Sequence, residues 1–239
     1  MPLGKQGNNP LVVLHYLLRG TELLTHKALR LYIVIPLLIN TVLYSLAIWL
    51  GYHYVNSWIL SLIPDWLHWL HWLVSPILFV SFIIIGFFTF TVVANIIAAP
   101  FYGKLSAKVS ALYTASTQQN NVELPLSQVM KAEFKRLRYV LSRTIPLLIL
   151  FIIPGINLVA PLLWMVFGAW VIALEYFAFP LENKGILFVE QHQFSKKIGM
   201  GTLSFGALTM LGLSIPIVNI FVAPAAVIGA TLFIHAIED

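Results

Sequence analysis

The chain is expected to fold as an all-α integral membrane protein with two long transmembrane helices, two re-entrant, half-penetrating helical hairpins and amphipathic helices on the cytoplasmic side. Composition is the first ground: of 239 residues, 59% are hydrophobic and 10% charged, too apolar for an ordinary water-soluble domain. The second is that Asp65 is the sole charged residue between Arg30 and Lys104, and the gap holds two long apolar runs, 31–54 and 73–99. The third is a near-repeat in the second half, where Ile153-Pro154-Gly155-Ile156-Asn157 recurs as Ile215-Pro216-Ile217-Val218-Asn219. Paired Pro/Asn interruptions of apolar segments point to a transport site, and here to a pore or gate.

Taken in chain order, residues 1–30 form an interfacial segment. Asn9-Pro10 is a helix start, with a capping side chain and proline at the first helical position. The helix that follows places Leu14, Leu17, Leu18 and Leu24 near one face and Arg19 and Glu22 towards the other, and is expected at the membrane surface. No cleavable signal peptide is visible, so the first span is expected to serve as its own insertion signal. Both apolar runs exceed the roughly 20 helical residues that a hydrocarbon core of about 30 Å requires. The stretch between them carries Trp58, Trp66, Trp69 and Trp72 with His68 and His71, which suits a membrane interface.

All fourteen Lys and Arg residues fall within 5–30, 104–143 and 184–197. By the tendency of such loops to stay cytoplasmic, these three blocks lie inside and the Trp-rich connection outside. Within 104–143, two helices (105–116 and 125–143) are expected around a polar loop at Gln118–Asn121, the second made basic by Lys131, Lys135, Arg136, Arg138 and Arg143. That helix reads either as a contact for anionic lipid or as a funnel for a small anion.

The hairpins are assigned to 144–179 and 201–237. Between Arg143 and Pro154 stand ten residues, which rise about 15 Å as helix, roughly half the hydrocarbon core. The alternative is a six-span protein whose first hairpin helix extends upstream past Arg143. A turn at membrane depth must be buried in protein or line water, which favours an oligomer or a pore.

Candidate chemistry is sparse. The absence of cysteine removes disulfides, thiolate metal sites and Cys nucleophiles. There is no phosphate-binding Gly-rich loop and no His-Glu-x-x-His, and the seven histidines are not at ligand spacing, so neither metal, cofactor nor nucleic acid is expected. Before the first span, Thr25-His26-Lys27-Ala28-Leu29-Arg30 reads as an anion cradle if a helix begins there, because its open amides and dipole favour an oxyanion and Lys27 and Arg30 add charge. Ordinary interfacial anchoring is the competing reading. Glu175, an acid inside an apolar segment, either lines a cavity or sits near the interface. Asn40, Asn95, Asn157 and Asn219 are candidates to line or gate a path, or else to cap and pair helices.

Taken together, Leu29-Arg30, Ile35-Pro36 through Asn40, Asn95 with Pro100-Phe101-Tyr102-Gly103, Pro161 through Trp164, Gly168-Ala169-Trp170, Phe179-Pro180-Leu181-Glu182-Asn183, Pro216 through Asn219, Ala223-Pro224 and Gly229-Ala230-Thr231 resemble the CysZ sulfate permeases of bacterial inner membranes. The resemblance covers nearly the whole chain as a single membrane domain. It implies sulfate uptake for reductive assimilation toward cysteine, two long helices with two half-penetrating hairpins, and a sulfate-binding Gly-Leu-Arg motif. Ala28, Leu29 and Arg30 occupy that motif here, and Ala28 departs from it, restricting close backbone approach to the ion. On this reading Lys27 and Arg30 capture sulfate, while Asn157 and Asn219 flank the path. The partners are sulfate, membrane lipid and further copies of the chain. A non-transporting scaffold that binds anionic lipid is the rival; a membrane enzyme built on Glu175 lacks any partner motif.

Overall fold

The computed structural model describes residues 5–62, 71–113, 125–215 and 218–238. These form eight α-helices with no strand among the described residues: α1 (Pro10–Leu23), α2 (Arg30–Leu62), α3 (His71–Tyr113), α4 (Leu126–Leu150), α5 (Ala160–Glu182), α6 (Phe188–Ile198), α7 (Met200–Leu213) and α8 (Asn219–Glu238). The all-α expectation is met. Among the described residues, three helices are long and apolar enough to cross a membrane: α2 over Arg30–Ala47, α5 and α8, whereas α7 is a shorter apolar helix. Residues 63–70, with Trp66, Trp69 and His68, and the loop at Gln118–Asn121 lie outside the described residues.

Local chemistry accounts for several boundaries. Asn9 caps α1 as expected, its side chain accepting from Leu11 N at 2.9 Å, and Pro10 opens the helix. Asn8 Oδ1 accepts from Met200 N at 2.7 Å, so the N-terminal segment caps α7 from outside. Gly199 ends α6 and precedes α7 at φ 65°, a conformation that a side chain would strain. In α6, Glu190 stands in the first turn and Lys196 and Lys197 in the last, each complementing the helix dipole.

Two expected boundaries move. Residues 105–113 are not a separate helix but the last turns of α3, which runs on through Pro100. Likewise the helix expected to end at Arg143 continues as α4 through Pro146 to Leu150, as the six-span alternative envisaged. A proline removes one ladder bond and bends a helix, but flanking packing can carry the helix past it. The segment expected as the first hairpin arm is therefore the apolar end of a longer helix.

The molecule divides into two compact units, residues 34–101 and residues 1–33 with 102–239. In the first, Val34, Leu37, Leu38, Val42, Leu46 and Trp49 on α2 are exposed, the surface of a helix suited to lipid.

The second unit is built around α8, whose residues Pro224 to Thr231 are buried throughout. Phe177, Phe205, Phe233, Ile234 and Val13 fill its core. Small residues allow the closest crossings: a Cβ on Gly20 would lie 2.2 Å from Ala225 O, and one on Gly206 would lie 1.7 Å from Ala169 O. Gly7 adjoins Ile237, Gly229 adjoins Tyr16 and Leu17, and Gly20 adjoins Ala225, so α1 and α8 run antiparallel. The expected surface helix α1 thus buries Val13 and Gly20 while Leu11, Leu14 and Leu18 stay exposed on its other side. The end of α3 joins by Thr231 Oγ1 donating to Ser106 Oγ at 2.9 Å and Asn183 Nδ2 donating to Gly103 O at 3.0 Å.

Candidate functional site

The turn from α1 to α2 is organised by His26. Leu29 N and Arg30 N both donate to the His26 carbonyl, at 3.0 and 3.2 Å, and Ala28 N donates to its Nδ1 at 3.3 Å. The Ala28, Leu29 and Arg30 amides are therefore engaged, because the turn closes on itself before the helix begins. Leu29 is fully buried in the core and pins the turn. Arg30 Nε donates to Thr25 O at 2.7 Å, which orients the guanidinium, while its two terminal nitrogens have no protein partner among the described residues. Lys27 and Arg30 are both exposed. What the turn offers an oxyanion is thus one oriented guanidinium and one ammonium beside it.

The repeated interruptions share a backbone pattern. Asn157 N donates to Ile153 O at 3.0 Å, and Asn219 N to Ile215 O at 3.1 Å; two residues on, Val159 N donates to Ile156 O and Phe221 N to Val218 O, both at 2.9 Å. Gly155 takes φ 83° in the first turn. Residues 151–159 are exposed, as are Ser214, Ile215 and 218–221 around the second turn. Asn157 and Asn219 are brought to equivalent, exposed positions. Glu175 lies on α5 as an exposed side chain between buried Leu174 and Tyr176. Asn40 and Asn95 fall on α2 and α3, and their side chains lie outside the described residues.

Sequence reasoning missed a polar cluster where α4, α5 and α6 meet. Arg136 donates from Nη1 to Glu133, 2.9 Å in the closest pair, and from Nη2 to Glu182 Oε1 at 3.0 Å and Gln191 Oε1 at 2.8 Å. Gln191 Nε2 donates in turn to Ile186 O at 2.8 Å. Burial is the largest influence on Glu133 and holds its carboxyl above the usual range despite Arg136. Of the five α4 cations, Arg136 therefore faces inward; Lys131, Lys135 and Arg138 are exposed. The three-residue spacing of Glu133 and Arg136 was readable as a helical pair, whereas Glu182 and Gln191 reach them only through the fold.

A family model described as sulfate transporter CysZ/etoposide-induced protein 2.4 matches residues 16–224, a stretch that contains the His26 turn and both interrupted segments. The chain belongs to the CysZ family. Relatives named sulfate transporter CysZ include that of Salmonella typhimurium, 37% identical over 225 residues, covering 91% of this chain and 89% of its own length. The CysZ of Pseudomonas paraeruginosa is 37% identical over 226 residues, covering 91% and 92%. That of Pseudomonas aeruginosa LESB58 is 36% identical, with the same coverage. Family membership and the apolar helices together make this CysZ relative a membrane protein.

Proposed function

We propose that this protein conducts sulfate into the cytoplasm across the bacterial inner membrane, as a multi-pass member of its family that supplies sulfur for reductive assimilation. The support is its 36–37% identity, over nine-tenths of the chain, to proteins named sulfate transporters. Sulfate is captured at the His26 turn by Lys27 and by Arg30, whose guanidinium Thr25 O already orients. Ala28 and Leu29 contribute backbone only, with the Ala28 amide held by His26 Nδ1. The interrupted turns at Asn157 and Asn219, with Asn40, Asn95 and Glu175, line or gate the path. Copies of the chain and lipid cover the exposed apolar surfaces, since a turn at membrane depth needs protein or water around it. A dianion must leave as readily as it arrives, so affinity is modest and hydration partial.

The deciding experiment is radiolabelled sulfate uptake into proteoliposomes, beside protein-free vesicles and an Arg30→Ala variant that elutes as a folded species. Protein-dependent uptake that falls in the variant supports the proposal. Uptake no greater than in empty vesicles, with or without a pH gradient, overturns it.

A further inference from the structure

A second group of cations gathers at the junction of α4 and α6. The Arg143 guanidinium carbon lies 3.8 Å from the centre of the Tyr139 ring, and Tyr139 packs edge-on against His192 at 4.6 Å. Trp170 Nε1 donates to Tyr139 Oη at 3.0 Å, and Phe188 stacks on His192, so the imidazole is held by rings from three helices. Its Nε2 is enclosed without a hydrogen-bond partner among the described residues. Lys196 stands one turn beyond His192 on α6, on the same face.

The charge balance here is one-sided. Ion pairs among the described residues join Arg19 to Glu22, Arg136 to Glu133 and Glu182, and Lys184 to Glu238, leaving Arg143 and Lys196 without a carboxylate. Among the described residues, Arg143 Nη1 donates only to Tyr139 O and Ser142 Oγ. Burial first, then Lys196 and Arg143, hold the His192 pKa below its usual value. Both charged groups that act on the imidazole are therefore cations. Around it, α4 presents Tyr139 and Arg143, with Arg136 already neutralised by its acids; α5 presents Trp170, with Glu182 tied to Arg136; α6 adds Lys196 and exposed Glu190; and α7 carries no charged residue.

We propose that Arg143 and Lys196 hold a doubly charged tetrahedral oxyanion beside His192, at a site distinct from the His26 turn. Two cations of different geometry, one rigid and stacked and one mobile, suit a sulfate or phosphate group, whether free or on a lipid headgroup. The bound dianion offsets the neighbouring cations and allows His192 to protonate, so binding and proton uptake favour each other.

The test is equilibrium binding of radiolabelled sulfate to the full-length Arg30→Ala protein, which leaves the second site intact. A residual site is expected, its affinity falling about tenfold in Arg143→Gln/Lys196→Gln on the same background. Because Lys196 is exposed, Lys196→Gln alone tests the idea without disturbing packing. Residual affinity should rise as pH falls from about 7.5 to about 5.5, and His192→Gln should flatten that rise. Inorganic phosphate competing in detergent identifies a free anion; loss of sulfate binding only in nanodiscs containing phosphatidic acid, not phosphatidylcholine alone, identifies a lipid phosphate. Binding of sulfate, phosphate and phosphatidic acid that is unchanged by both substitutions, in protein that elutes and melts normally, overturns the proposal.

Discussion

At the scale of the residue, His26 is the group on which the His26 turn depends. Its Nδ1 serves as an acceptor two residues ahead of itself, a role that an asparagine side chain can take over in an Asx turn. His26→Asn should therefore keep sulfate affinity in the binding assay, while His26→Leu loses about fivefold, the equivalent of one ordinary hydrogen bond. His192 gives a different test. Its lowered pKa means that the unfolded chain binds the proton more readily, so stability is full above the ordinary histidine value near ~6.5 and is lost as pH falls below it. Thermal midpoints in sulfate- and phosphate-free detergent should drop between about pH 7 and 5 in the natural protein, and drop less in His192→Phe. Lys27 and Arg30 were legible because two cations immediately precede an apolar run. His26 was not: it was one of seven scattered histidines, and its importance lies in a turn's hydrogen bonds rather than in spacing.

Among the elements, helix crossings built on glycine make the sharpest predictions. Gly206→Val places a side chain where Ala169 O already stands, and should cost about 3 kcal/mol or more, seen as aggregation or a lowered midpoint on extraction. Gly103→Ala meets nothing within 4 Å and should be close to neutral, which controls for helix propensity alone. The repeat announced two equivalent turns, and the Asn157 and Asn219 amides make matching backbone bonds. What the sequence hid was continuity. The sequence placed boundaries at 99 and 143, yet α3 runs on through Pro100 and α4 through Pro146. Several residues that carried the family resemblance prove to be fasteners: Asn183 bonds Gly103, Phe179 packs on Tyr102 at 5.7 Å, and Glu182 meets Arg136.

Across the whole molecule, the Arg136 cluster joins α4 to the end of α5 and to α6. Arg136→Met strands Glu182 and Gln191 together. With side chains 22% exposed for Arg136 and 38% for Glu182, solvent screens part of the loss, so the expected cost is about 1–2 kcal/mol, read from the midpoint in detergent. Fold class and the two long helices were open to inspection in the chain, since they follow from hydropathy. The inward turn of Arg136 was not, because it depends on Glu182 and Gln191, 46 and 55 residues away.

The antiparallel seating of α1 on α8 has a consequence for biogenesis. During synthesis α1 emerges before α2 to α7 and waits for the helix that will cover Val13, Tyr16 and Gly20. Until then the nascent chain must park that face at the bilayer surface, and the long interval makes closure of the central core a late event. A ribosome-tethered chain halted after Leu213 should leave α1 open to protease, whereas one carried beyond Glu238 should shield it.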